Sequence, residues 1–121
     1  MRIGVEMAVL SSRTKNKILI SDLKVAKTFL QRGFGLIPRS DLSTNEGLLI
    51  GSCKSIHTFF MSFAIDCIFV DKNMMVKALV ENVSPWRMTK FYWKADSVIE
   101  LSAGSIRRLE IGLGDQLHVG H

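Results

Sequence analysis

The stretch SIHTFFMSFAIDCIFVD, residues 55–71, is the most apolar run of this 121-residue chain. Its two halves predict two short strands, at about 55–61 and 65–71. Neither half alternates regularly between apolar and polar residues, so we expect both faces of the sheet to be covered. The polar residues inside the run are His57, Thr58 and Asp66. They lie near strand ends, a position that suits a pocket edge and a strand-capping network equally well.

Outward from this run, most of the chain also predicts short strands. Asp71–Asn73 predict a tight turn. The strand that follows this turn is expected to pair with the preceding one as an antiparallel hairpin. One helix is predicted over about 22–34, because apolar residues recur there at helical spacing. The predicted fold is mainly β (α+β), a small antiparallel β-sandwich or partly closed barrel with one or two short helices. The remaining strands are predicted at 16–22, 48–51, 74–83, 97–102 and, after a short helical turn, near 116–119.

The composition is typical of a folded domain, with 47% hydrophobic and 22% charged residues. We expect one globular domain over 1–121, with a loosely ordered N-terminal segment at 1–15. No apolar run approaches the roughly 20 residues that a membrane-spanning helix needs. The N-terminal residues also lack the apolar core of a signal peptide. These features predict a cytoplasmic protein without a membrane span.

The formal net charge of +5 is concentrated in residues 1–40, where eight Lys or Arg residues accompany two acidic ones. The basic residues there occur singly and without the aromatic residues that stack on nucleotide bases. We therefore interpret them as solvated surface of a basic protein. Nucleic acid is not an expected partner, and an unidentified small molecule or protein is expected instead.

The two cysteines, Cys53 and Cys67, are expected to be reduced and to pack as small apolar side chains. The three histidines include no close-spaced pair, so no metal site is predicted. No Gly-rich phosphate loop or nucleophile elbow is present either. The sequence accordingly predicts no cofactor and no catalytic set.

Asp66 is the strongest anomaly, because a carboxylate on a strand covered on both sides must be paired, hydrogen-bonded or set at a pocket. In a functional role, Asp66 would act as a general base or orient a ligand. In a structural role, its carboxylate would accept hydrogen bonds from backbone amides or pair with an arginine. Arg39, in the polar loop PRSD, is the expected partner. If Glu100 faces Asp66 across the sheet, the two carboxylates repel each other and one of them stays protonated.

Other candidate residues have structural alternatives. Regular strand alternation would place His57 and Thr58 on opposite faces, and a single histidine near aromatic residues is usually a half-buried packing residue. Asp115 is expected to cap a turn. The aromatic residues either form an exposed binding surface or lid, or they cover an open end of the sheet. They are Trp86, Phe91, Tyr92 and Trp93.

In their order and spacing, the motifs EGLL, IHTFFM, IDCIFVD, VIEL and GD resemble domain-of-unknown-function family number 192 over about residues 9–118. The resemblance implies a single compact, mainly β domain and no established activity. The chain departs from many members by carrying Ala64 in place of proline and by lacking their export signal. The polar positions that the resemblance points to are Arg39, Glu46, His57, Thr58, Asp66, Glu100 and Asp115.

Three functional hypotheses follow. The first is a non-enzymatic binding or accessory protein with a small polar pocket or surface formed by Arg39, His57, Thr58 and Asp66, beside an aromatic rim. The second is a small enzyme, hydrolase or isomerase-like, with Asp66 or His57 as general base. In the third, the polar residues only satisfy backbone groups. The aromatic rim comprises Trp86, Tyr92 and Trp93.

Overall fold

The structure is a computed structural model that describes residues 5–26, 41–58 and 61–121. Within them lie seven strands and one short helix. The strands are β1 (Val5–Ser12), β2 (Lys17–Ala26), β3 (Glu46–Ile50), β4 (Ile65–Val70), β5 (Val76–Val83), β6 (Ser97–Ser102) and β7 (Leu117–Gly120), and the helix is α1 (Ser105–Arg108). The prediction of a mainly β domain with a short helix is confirmed.

The seven strands form one sheet in the order β5-β4-β6-β3-β2-β1-β7, which curls into a half-barrel. This confirms the predicted partly closed barrel. The pairing is antiparallel except between β2 and β3, which run parallel. Parallel neighbours need a long crossover, and the chain between Ala26 and Glu46 provides it.

At one end of the half-barrel the two edges of the sheet meet. Met75 and Gln116 form an antiparallel bridge, the amide of Val76 donates to the carbonyl of Asp115 at 3.0 Å, and the amide of Leu117 donates to Met74 at 3.0 Å. We call this contact the seam. It pairs the start of β5 with the start of β7, so the edge strands are partly closed off at this end.

β4 and β6 are covered on both faces, as the sequence predicts for β4. The inner cluster draws on nearly every strand and on α1, and it includes Leu10, Ile20, Ile68, Ile99, Ile106 and Leu117. The outer cluster lies on the opposite face and includes Leu48, Cys67, Phe69, Val98, Met61 and Ala95. Alternation along β4 therefore directs Asp66 to the inner face and Cys67 to the outer face.

Three local predictions differ from the structure. The predicted helix over 22–34 is wrong in its first part, because β2 continues to Ala26; its remainder lies outside the described residues. Within the N-terminal segment 1–15, which was expected to be loosely ordered, Val5–Ser12 instead form β1, which pairs with β2 and β7; residues 1–4 lie outside the described residues. Tertiary pairing overrides the local signal in both cases.

The predicted strand at 55–61 is also wrong over 55–58, where only an isolated bridge between His57 and Met88 forms. This segment pairs with a loop and not with a sheet strand. In the described part of the chain, none of the helices has the length and apolarity needed to cross a membrane.

Candidate functional site

The Asp66 carboxylate is fully buried, and both of its oxygens accept backbone hydrogen bonds. Oδ1 accepts the amide of Asn82 at 2.8 Å, and Oδ2 accepts the amide of Ile106 at 2.9 Å. Asn82 lies at an irregularity of β5, where Ile65 pairs with Val83 but Cys67 pairs with Val80. Asp66 therefore satisfies an amide that the strand ladder leaves without a partner.

The second amide, that of Ile106, belongs to the first turn of α1. The residue preceding this helix is Gly104, which has no side chain to cap it. Asp66 supplies the missing acceptor from β4, forty positions earlier in the sequence. Arg39, its expected partner, lies outside the described residues, and the two amides satisfy Asp66 without it.

Thr58 is also fully buried and also has a structural role. Its hydroxyl donates to the carbonyl of Ser84 at 2.6 Å and accepts the amide of Arg87 at 2.9 Å. Its backbone amide donates to the carbonyl of Arg87 at 2.9 Å. Thr58 thus fixes the start of the segment 84–95, which we call the aromatic segment.

Further hydrogen bonds continue this pairing along the aromatic segment. The amide of Thr89 donates to Ile56 at 2.9 Å, and that of Tyr92 donates to Lys54 at 2.8 Å. His57 is exposed on the same pair of segments, opposite Met88. Since Asp66 is directed to the inner face of the sheet, His57 and Asp66 do not form one site.

Glu100 faces Cys67, and the prediction that it faces Asp66 is wrong. Cys67 and Glu100 are paired between β4 and β6, whereas Asp66 pairs with Leu101. Glu100 is 4% exposed, and no described residue hydrogen-bonds to its carboxyl group. Burial raises the pKa of Glu100 to about 8, so the group is largely neutral at pH 7.

Glu46 and Asp115 both support turns. Glu46 Oε1 accepts the amide of Ser43 at 3.1 Å, ahead of β3. Asp115 Oδ2 accepts the amide of Gly112 at 3.0 Å and the Lys15 ammonium at 2.6 Å. Burial alone would favour neutral Asp115, but these two hydrogen bonds outweigh it and lower the pKa of Asp115. The predicted turn cap at Asp115 matches these contacts.

The aromatic segment exposes large apolar side chains. Trp86 is 58% exposed, Met88 67%, Phe91 66% and Trp93 71%. Tyr92 instead packs against the outer cluster, where the centre of its ring lies 4.6 Å from that of Phe69. The covering role considered for the aromatic residues thus applies to Tyr92. The exposed residues alternate with Arg87, Lys90 and Lys94, and no acidic residue occurs between 84 and 95.

Trp93 borders a cavity of about 360 Å³, which we call the Lys–Trp cavity. Its other lining residues come from the turn after β4, from residue 54 and from the residues just before β6. They are Lys54, Asp71, Lys72, Asn73, Lys94, Ala95 and Asp96. Lys54 donates to the carbonyl of Trp93 at 3.1 Å and so holds this wall in place.

The sequence alone points to Trp93 but not to the lysines of this cavity. Lys94 could have been found from the alternation of basic and aromatic residues in WRMTKFYWK. Lys54 and Lys72 could not, because they reach Trp93 only through the pairing of the aromatic segment with residues 54–58 and of Asp96 with Val70 at the end of β4.

The sequence profile of the DUF192 family, described as "Uncharacterized ACR", matches residues 9–119. The chain belongs to the DUF192 family. It is 32% identical over 113 residues to a UPF0127 protein of Thermococcus sibiricus, with 90% of this chain and 73% of that protein covered. A UPF0127 protein of Pyrococcus furiosus is 33% identical over 107 residues, which cover 86% of this chain and 91% of the relative.

Two solved structures share the DUF192 fold seen here. One, from Sinorhizobium meliloti and named a "putative transcription regulator", has a TM-score of 0.85 and 19% identity, with 98% of both chains covered. The other, a protein of unknown function from Novosphingobium aromaticivorans, has a TM-score of 0.78 and 19% identity, over 94% of this chain and 84% of that one. At 19% sequence identity, the similarity to these two structures shows a shared fold.

Proposed function

We propose that this DUF192 protein is a non-enzymatic binding domain. Its ligand is an anion that carries a flat ring, of the nucleotide type, and it binds in the Lys–Trp cavity. The observation that carries the proposal is the exposed Trp93 indole on the wall of a cavity that three lysines also line. A ring stacks on an indole face, and ammonium groups attract the anion.

Two of the three lysines are available to a ligand. In the described part of the chain, Lys72 and Lys94 have no acidic residue within ion-pair distance. Lys94 lies 5.3 Å from the centre of the Trp93 ring, and the 71% exposure of Trp93 leaves room for a second ring. Lys54 instead positions the backbone of the wall through its bonds to carbonyls.

The two carboxylates of the cavity are already engaged by the protein. Asp71 Oδ1 accepts the amides of Asn73 at 2.9 Å and Met75 at 3.0 Å, and its Oδ2 lies 3.6 Å from Lys77. Asp96 Oδ2 accepts the hydroxyl of Ser97 at 3.0 Å. These contacts reduce the repulsion that an incoming anion would meet.

The contacts of Asp66 favour binding over an enzyme that uses Asp66 as its general base. A general base must reach the substrate's proton directly or through one water. Asp66 has no exposed surface, and amides occupy both of its oxygens. The expected pocket around Asp66 is therefore replaced, in this proposal, by the Lys–Trp cavity. A cytoplasmic location stays a prediction from the sequence.

The test is an NMR titration of the ¹⁵N-labelled protein with adenosine 5′-monophosphate, with adenosine and inorganic phosphate as probes that lack one half of the ligand. We expect the nucleotide to shift the indole signal of Trp93 and the amide signals of Lys72 and Lys94. Each half alone should bind more weakly. Absence of these shifts at millimolar nucleotide would overturn the proposal.

The variant Trp93→Ala should weaken nucleotide binding about five- to hundredfold, which corresponds to one stacked base. The matched control is Phe91→Ala, which removes an equally exposed aromatic side chain of the same segment from outside the cavity. Equal losses in both variants would show non-specific apolar binding and would contradict the assigned site.

A further inference from the structure

A second cavity, of about 350 Å³, lies at the same end of the half-barrel as the Lys–Trp cavity. The β1–β2 hairpin and β7 form it, and its lining includes Arg13, Lys17 and His118. The other lining residues are Ser11, Ser12, Asn16 and Ile18, so this cavity has no carboxylate among its described lining residues. We call it the hairpin cavity.

Gln116 separates the two cavities. Its side-chain Nε2 donates to the carbonyl of Asn73 at 2.6 Å, and Asn73 lines the Lys–Trp cavity. The backbone carbonyl of Gln116 accepts a hydrogen bond from the amide of Arg13 at 2.8 Å, and Arg13 lines the hairpin cavity. Gln116 therefore connects one lining residue of each cavity across the seam. The residue between them is uncharged.

The hairpin cavity carries positive charge that the protein leaves largely uncompensated. Arg13 Nη2 lies 3.1 Å from His118 Nδ1 and, within the described residues, has no acidic partner. Lys17 lies 3.9 Å from Glu110, and both side chains are well exposed, so this pair is weak. The neighbouring Lys15 differs, since Asp115 binds it at 2.6 Å.

We infer that the ligand of the proposed site is a single-stranded nucleic acid that crosses Gln116 and occupies both cavities. This inference rests on the proposed function, and it departs from the expectation, drawn from the basic residues of 1–40 alone, that nucleic acid is not a partner. One unpaired base stacks on Trp93 while phosphates of the same strand reach Arg13 and Lys17. A duplex does not fit this arrangement, because its paired bases are not available for stacking on an exposed indole.

A linear ligand explains why two cationic cavities flank a neutral residue. A mononucleotide occupies only the Lys–Trp cavity, whereas successive phosphates of a strand supply an anion to each side of Gln116. Both sets of cations then contribute to one binding event. The affinity should consequently increase with strand length and depend strongly on salt.

The test measures fluorescence anisotropy with a labelled twelve-nucleotide oligothymidylate over a range of salt concentrations. The wild type is compared with the double variant Arg13→Gln/Lys17→Gln. The matched control, Arg107→Gln/Arg108→Gln, removes two positive charges from α1 at the opposite end of β4. We expect Arg13→Gln/Lys17→Gln to bind the oligonucleotide about tenfold more weakly than the wild type at low salt. Its slope of log K against log salt should be smaller by about 1.4, the value for two single-strand phosphate contacts.

The control pair should leave that slope unchanged, and all variants should retain the wild-type melting temperature within a few degrees. Adenosine 5′-monophosphate should bind wild type and Arg13→Gln/Lys17→Gln equally. If it does, and the oligonucleotide binds no more tightly than the mononucleotide, the inference is wrong and the proposed function stands. If neither probe binds, both are wrong. Binding that tolerates Trp93→Ala and is matched by polyphosphate would show adsorption by charge alone and would overturn the single-strand assignment.

Discussion

The carboxylate of Asp66 and the amide of Ile106 are joined by a 2.9 Å hydrogen bond across forty residues of sequence. The bond connects the second residue of β4 to the first turn of α1, and the same carboxylate binds the amide of Asn82 on β5. One side chain thus fixes two elements against β4. The polar group that most suggested catalysis has a structural role of its own.

Replacing Asp66 by Ala should destabilise the protein by about 3 kcal/mol, because two buried amides lose their acceptor. Asp66→Asn should cost less but still more than 1 kcal/mol, since its amide group would place a donor against one of the two backbone donors. Urea unfolding monitored by circular dichroism measures both.

Asp71 provides the comparison, because it also accepts two amides but lies at an exposed turn. Water can replace the Asp71 carboxylate as the acceptor for these amides. Asp71→Ala should therefore lower the free energy of unfolding by only about 1 kcal/mol. Equal costs for Asp66→Ala and Asp71→Ala would contradict the capping role that we assign to buried Asp66.

Glu100 should make the protein less stable as the pH rises. Its pKa is about 8 in the folded protein against 4.5 ordinarily, so the folded state retains a proton that the unfolded state loses in this range. The free energy of unfolding should therefore fall by up to about 1.4 kcal/mol per pH unit from this group between those two pH values. Unfolding by urea at several pH values measures the slope.

The variant Glu100→Gln keeps the shape of the neutral carboxyl group and removes its titration. Its stability should match that of the wild type near pH 4.5 and exceed it near pH 8. Parallel stability curves for the two proteins would show that Glu100 ionises normally in the folded state.

Asp115 should contribute to stability with the opposite dependence on pH. Its pKa is lowered in the folded protein, so its contribution is complete above the ordinary value of 3.8 and is lost as the pH falls through the folded value. Lys15→Gln should cost about 0.5–1 kcal/mol at pH 7, since the pair is partly exposed. The difference between the two proteins should vanish in acid, where Asp115 is protonated in both states. A difference that persists there would point to a packing role for the Lys15 side chain.

The two cysteines should differ in reactivity. Burial raises the pKa of Cys67 well above its ordinary value, and the carboxyl groups of Glu100 and Asp66 and the thiol of Cys53 raise it further. Cys53 is only half-buried. A thiol reagent at pH 8 should modify Cys53 in the native protein and Cys67 only after unfolding. Mass spectrometry of the modified peptides distinguishes them, and rapid native modification of Cys67 would contradict its burial.

The sequence was sufficient for strands in which apolar residues predominate, as in β4 and β6. It failed where pairing decides the structure. Residues 22–26 have helical spacing, yet β2 extends through them because β1 and β3 pair with it on both sides. Residues 55–58 read as a strand, yet their hydrogen bonds go to the aromatic segment.

The candidate site was predictable only in part, for the same reason. Burial of Asp66 followed from its apolar neighbours, but the amides that satisfy it come from Asn82 and Ile106, which no local pattern connects to it. Likewise, the cluster of aromatic residues in the sequence points to Trp93, whereas the proximity of Trp93 to Lys72 depends on the turn after β4. Glu100 faced Cys67 because register is a property of two strands together.

The seam also has a consequence for the timing of folding. Its residues 114–117 leave the ribosome after β1 to β6 are already available, so the half-barrel cannot close while those strands alone are present. Until closure, the start of β5 is paired only with β4 and β1 only with β2, so the outer edge of each is open. Nascent chains in that interval expose strand edges and the inner cluster to other chains. The speed of this last, long-range step, more than the final stability, should then determine how much newly made protein escapes aggregation.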